Sequence, residues 1–144
     1  MQAAGFEVQT SGRIRDEIWM KLIGNLSYNP IAALTLARMD DIHANPALLE
    51  LIGAMMRESM QVAAAYGVRV RISIEERIGI ARLIGNAKTS MHQDVERGRP
   101  LEIEAIVGSV TELAARAGVA TPMIDVLHAL LAERARHIGT ALGS

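Results

Sequence analysis

Lys21, Asn25 and Asn29 follow one another at four-residue spacing, so on a helix they stack along one side. At about 100° per residue, the two asparagines fall within roughly 40° of the centre of the edge formed by Ile18 and Leu22, with Lys21 beside them. Ile14, Ile18, Leu22 and Leu26 make this side part of a broad apolar face, so the three polar residues are not expected to be simply solvated. A buried amide without a partner costs about 1–3 kcal/mol, which leaves two outcomes. Either the asparagines bond to neighbouring backbone, with Asn29 ending its helix ahead of Pro30, or they meet an ordered ligand. A lysine drawn partly out of water in such a place holds its proton less tightly and can act as a general acid near neutral pH.

Glu102 is the second candidate. Ile103, Ile106, Val107, Val110, Leu113, Ala114 and Ala117 form one stripe on a helix expected over 101–117. Glu104, about 125° from the centre of that stripe, should face water, whereas Glu102, about 75° away, borders the core at the first turn. There it can serve as a charge favoured by the helix dipole, or it can anchor a hydroxyl or amine of a ligand. His43, His92, His128 and His137 lack metal-ligand spacing, so no metal site is expected. Met55, Met56 and Met60 fit core filling, and Glu58, at the margin of its helix's apolar face, fits an arginine partner. Neither GxGxxG nor GxxxxGK[ST] occurs, so the chain carries no recognisable phosphate-cradling loop.

The elements that must position these residues are helical. Strand-like alternation is nearly absent, and Ala, Leu, Ile, Met, Glu and Arg dominate, which predicts an all-α bundle of about six helices. The expected helices span 14–28, 30–37, 46–66, 74–85, 101–117 and 122–138. Pro46, Pro100 and Pro122 suit first helical turns, and Gly67 and Gly118 suit left-handed C-caps. The polar stretch 85–99 is expected to be an ordered loop or a short helix. At the start, AAG followed by FEVQT resembles a helix end and a short extended piece, as though the chain began inside a larger protein.

Composition excludes several classes. With 144 residues, half of them hydrophobic, the chain can bury one ordinary core. Fifteen Lys plus Arg against sixteen Asp plus Glu leave a net charge of −1, and aromatics make up only 3%, so neither a nucleic-acid partner nor a helix-turn-helix regulator is favoured. No cysteine is present, which removes disulfides, thiolate metal sites and cysteine nucleophiles. No apolar run approaches the ~20 residues that span a bilayer, and no signal peptide opens the chain, so no membrane partner is expected and a cytoplasmic location is the default.

Four segments together carry a resemblance. Trp19-Met-Lys-Leu-Ile-Gly-Asn-Leu-Ser-Tyr-Asn-Pro30, Thr89-Ser-Met-His-Gln-Asp94, Arg99-Pro-Leu-Glu-Ile-Glu-Ala-Ile-Val-Gly108 and Gly118-Val-Ala-Thr-Pro122 resemble, in order and spacing, the C-terminal helical domain of ketopantoate reductases (2-dehydropantoate 2-reductases). The resemblance implies residues 13–140 as that domain, residues 1–12 as a remnant of an interdomain segment, and an N-terminal Rossmann domain absent from this chain that holds NADPH. It implies that Lys21 protonates the carbonyl oxygen of a small 2-oxo acid as hydride arrives, and that Asn25 and Asn29 line the substrate site. Ser90 then binds the substrate carboxylate and Glu102 its hydroxyl. The isolated domain is expected to lack turnover and to self-associate as a homodimer through the surface left open. The competing expectation is a non-catalytic helical binding or dimerisation module in which Lys21, Asn25 and Glu102 are structural.

Overall fold

The computed structural model describes the backbone of residues 2–143 and the side chains of residues 15–138. Among the described residues the chain is all-helical, without strands. The order is α1 (Gln2–Thr35), α2 (Met39–His43), α3 (Pro46–Ala65), α4 (Ile74–Arg82), α5 (Ser90–Glu96), a π-helical turn (Glu104–Gly108) running directly into α6 (Ser109–Ala117), and α7 (Pro122–Gly143).

Local chemistry explains most boundaries. The Asn45 side chain accepts from the backbone N–H groups of Ala47 and Leu48 at 3.0 and 3.4 Å, and Pro46 is the first residue of α3. Ser73 and Thr89 cap α4 and α5 in the same way, accepting from Glu76 and His92. Pro122 opens α7, and Gly67 and Gly118 turn left-handed behind α3 and α6, with φ of 77° and 71°. The polar stretch before Pro100 resolves into a short helix, α5, with ordered loops on either side.

The first helix departs from expectation. Instead of an extended piece and two helices parted at Asn29, α1 is continuous through Pro30, and Asn29 terminates nothing. Proline inside a helix removes one hydrogen bond and crowds the carbonyl four residues back, at about 3 kcal/mol. The flanking Leu26, Ile31, Ala32 and Ala33 are each at most 2% exposed, and burying one Leu or Ile side chain contributes about 1.5–3 kcal/mol. Burial therefore outweighs the local defect. The core face of α1 is also displaced from its expected position. Trp19, Ile23, Leu26 and Ile31 are buried, whereas Ile18 is 57% exposed and the Ile14 side chain lies outside the described residues. The short helix α2 had no counterpart in the expected elements, because five residues are too few to show a period.

Pro100 does not open a helix. Leu101 and Glu102 precede the coil, which begins as the π turn, with the Ser109 N–H bonded to the Glu104 carbonyl. Glu102 is consequently exposed rather than set against the core, its carbonyl accepting from Ile106 N–H at 3.3 Å. The stripe on this segment holds at Ile103, Val107, Val110 and Ala114, all buried, while Ala117 is exposed and Glu104 faces water.

The core gathers these faces. α1 packs against α3, α5, α7 and the π turn, and α3 against α6 and α7. Ile52, Met55 and Met56 of α3 are fully buried and Met60 packs partly buried against them, which bears out the methionines as filling. Glu58 is buried, but among the described residues it pairs with no arginine. Its two carboxylate oxygens accept from the backbone N–H groups of Met123 and Ile124, at 2.9 and 3.0 Å. A side chain from α3 thus satisfies the open N-terminus of α7, where the dipole also favours a carboxylate. Glu58→Ala leaves both donors unpaired in the interior and is expected to cost about 2 kcal/mol. Thermal unfolding should then show a melting temperature lower by roughly 4–8 °C with helical content retained, and an unchanged melting temperature would contradict the cap.

Candidate active site

With Trp19, Ile23 and Leu26 turned into the core, another side of α1 carries Ile18, Lys21, Asn25 and Asn29. Two adjoining cavities open on this side. The smaller, about 200 Å³, is lined by Asn25, Tyr28 and Asn29 of α1, Arg77 and Ala81 of α4, and Lys88, Thr89 and Ser90 at the start of α5, among others. The larger, about 550 Å³, is lined by Asp16, Glu17, Met20 and Lys21 of α1, by Arg69, Val70 and Arg71 of the loop after α3, and by Ile80 of α4. Arg77 and Ile84 border both.

Three of the five expected site residues, Asn25, Asn29 and Ser90, therefore share one cavity, and Lys21 stands one turn away in the next. Asn29 is 5% exposed and Asn25 half-buried, yet among the described residues neither side chain has a hydrogen-bond partner. The backbone bonds that could have explained them are not formed. Lys21 is exposed, so within this domain nothing strips it of water. Glu102 lies outside both linings.

Ser90 is held by contacts between distant segments. His92 is buried, with Nδ1 3.2 Å from the Ala37 carbonyl and Nε2 3.0 Å from a Glu96 oxygen. Glu96 also takes the Lys88 ammonium at 2.8 Å, and Lys88 foremost, then His92, holds its carboxyl below the usual range. The Met39 N–H donates to the Ala87 carbonyl at 2.9 Å, tying the loop before α5 to the start of α2. Together these bonds fix the first turn of α5, and with it Ser90, against the end of α1.

Tyr28 supplies a further polar wall. Its hydroxyl lies 2.9 Å from His43 Nε2. Burial pushes the phenol pKa up, against the opposing pull of Arg77 and Arg82, so it stays protonated. Burial, and then Arg82, pushes the His43 pKa below its ordinary 6.5, against a backbone bond to Met39 and the charge of Asp40. A neutral His43 accepts a hydrogen bond from the Tyr28 hydroxyl at Nε2.

Arg77 and Tyr28, like Lys88, Arg69 and Arg71, line the cavities without having been singled out from the sequence. A signal for Arg77 exists: it stands at i, i+4, i+7 spacing with Ala81 and Ile84, a cation set into an apolar stripe. Gly24 is the reciprocal feature. A Cβ there would collide with the Arg77 guanidinium, so only glycine lets Arg77 lie on the α1 backbone.

The fold and site define an all-helical domain with a small cavity on one side, where Arg77, Lys88 and the amides of Asn25 and Asn29 stand among apolar groups, an arrangement suited to a compact anionic ligand. Residues 13–135 match the model of the family described as "Ketopantoate reductase PanE/ApbA C terminal", and the chain belongs to that family. It is 44% identical over 131 residues to a 2-dehydropantoate 2-reductase of Mesorhizobium japonicum, covering 91% of this chain and 40% of that protein. The 2-dehydropantoate 2-reductase of Geobacter metallireducens GS-15 superposes with a TM-score of 0.78 at 31% identity, over 83% of this chain and 41% of the other. A dimeric ketopantoate reductase of Staphylococcus aureus superposes with a TM-score of 0.76 at 30% identity, over 88% and 45%. The chain thus spans less than half the length of these relatives. Among the described residues no helix is long and apolar enough to cross a membrane.

The lowered His43 pKa has a stability consequence. Between the depressed folded value and 6.5 the unfolded chain binds the proton that the folded chain refuses, so this contribution is complete above about pH 6.5 and is lost as pH falls through the folded value. An NMR titration should place the His43 midpoint below 6.5, and a midpoint at or above it would contradict the assignment.

Proposed function

We propose that this chain is the substrate-binding and catalytic part of an NADPH-dependent 2-dehydropantoate 2-reductase, the enzyme that reduces the 2-oxo group of ketopantoate to pantoate in pantothenate biosynthesis. Residues 13–140 are its C-terminal helical domain and residues 1–12 the remnant of a segment leading from a nucleotide-binding Rossmann domain. The protein works in the cytoplasm as a homodimer. The observation that carries this is the pair of unpartnered amides, Asn25 and Asn29, on a cavity one helical turn from Lys21. The match of residues 13–135 to the ketopantoate reductase family model speaks against a non-catalytic module.

Hydride addition builds negative charge on the ketone oxygen. The Lys21 ammonium beside that oxygen stabilises the charge as it develops and gives up a proton from Nζ. Asn25 and Asn29 orient the substrate through their amides, the Ser90 hydroxyl donates to its carboxylate, and Glu102 accepts from its terminal hydroxyl. Glu102 is exposed and away from both cavities, so its part belongs to a closed cleft. Ile18, Ile80, Leu83 and Ile84, between 52 and 86% exposed, supply an apolar border that a covering domain would bury, drying Lys21 as it does so.

NADPH is held mainly by the Rossmann domain, and the larger cavity of this chain would face part of it. Lys21, Arg69, Arg71 and Arg77 stand around this cavity against only Asp16 and Glu17, and Arg69 and Arg71 are the groups that would meet phosphates. NADPH supplies the hydride when bound.

NADPH oxidation with 2-dehydropantoate by the protein carrying both domains tests the assignment, with Lys21→Ala expected to lower kcat by at least ~10²-fold. Binding of NADPH without turnover of this substrate would overturn the substrate, and a fully active Lys21→Ala protein would remove the lysine's role. Sedimentation equilibrium at high concentration should give the mass of a dimer, and a monomer mass would count against the homodimer.

A further inference from the structure

A 2-oxo acid presents a carboxylate and a ketone on adjacent carbons, so the cation that meets the first must lie close to the group that protonates the second. Lys21 is engaged with the ketone in the function proposed above, on which this inference rests. Of the other cations around the smaller cavity, Lys88 is already held 2.8 Å from Glu96. Arg69 and Arg71 border only the larger cavity. Arg77 borders both, is half-buried, and among the described residues has no carboxylate within 4.0 Å. Its guanidinium lies on Gly24, three residues after Lys21 and so about 4.5 Å further along the α1 axis. That separation suits the two adjacent functional groups of one small substrate. A Cβ at position 24 would push the guanidinium away, so α1 is shaped to receive it.

We infer that Arg77, seated on Gly24, is the counter-ion for the substrate carboxylate and the residue that selects 2-oxo acids over neutral ketones. Its planar fork can hold a carboxylate through two parallel N–H donors, in the same cavity as the Ser90 hydroxyl. A free, half-dehydrated arginine also draws anions toward the cavity despite the net charge of −1 on the whole chain.

The test compares 2-dehydropantoate with its uncharged lactone, which keeps the ketone and lacks the carboxylate. In the two-domain protein, Arg77→Ala should raise KM for the acid by about 10- to 100-fold with a much smaller change in kcat, leaving the lactone almost unaffected. Gly24→Ala should act in the same direction, and Arg77→Lys should recover part of the loss. Lys21→Ala, by contrast, should lower kcat and leave the acid-to-lactone preference in place. Circular dichroism and melting temperature confirm that each variant is folded. An unchanged preference in folded Arg77→Ala overturns the inference while leaving the reductase assignment intact. Should the wild type reduce neither compound, the reductase assignment fails, and calorimetry decides on the anion site: acid binding that Arg77→Ala weakens upholds it, and equal or absent binding overturns it.

Discussion

Pro30 denies α1 one backbone hydrogen bond and crowds the preceding turn, and only dense packing around it keeps the helix whole. Leu26, Ile31, Ala32 and Ala33 meet that need by being almost wholly buried. The consequence reaches the site directly. An unbroken α1 holds Lys21, Asn25 and Asn29 on one line, at helical pitch, while Trp19, Ile23 and Leu26 on another side of the same stretch anchor the core. Had the helix ended at Asn29, the asparagine would have turned with the chain and the cavity would have lost a wall.

The rest of the site is assembled by polar devices rather than by the core. Thr89 caps α5, His92 bridges the Ala37 carbonyl in the turn after α1 to Glu96, and the Ala87 carbonyl takes the Met39 N–H. These bonds order backbone beside a cavity, where there is little apolar area to bury. Buried polar networks of this kind fix geometry because a displaced member leaves a donor or acceptor unpaired. The Glu58 cap on α7 obeys the same logic on the far side of α3, joining residues 65 and 66 positions apart.

The charge of the site is local. Acids and bases nearly balance over the chain, yet the charged side chains that border the two cavities are mainly cations. Acids nearby are either engaged, as Glu96 is with Lys88 and His92, or outnumbered, as Asp16 and Glu17 are. Net charge therefore argues against a polyanionic macromolecule without arguing against a small anion.

What the sequence by itself determined was governed by neighbours a few residues apart. The helical class, the starts at Pro46 and Pro122, the left-handed stops at Gly67 and Gly118, and the stacking of Lys21, Asn25 and Asn29 all follow from local sterics and a 3.6-residue period. Segment spacing also carried the family resemblance. The tertiary structure alone decided the passage of α1 through Pro30, the side of α1 that faces the core, the π turn after Pro100, the Glu58 cap, and the seating of Arg77 on Gly24. Each of these depends on how elements pack or pair across the fold. The energy that settles them comes from burial and hydrogen bonding between parts that no local period connects.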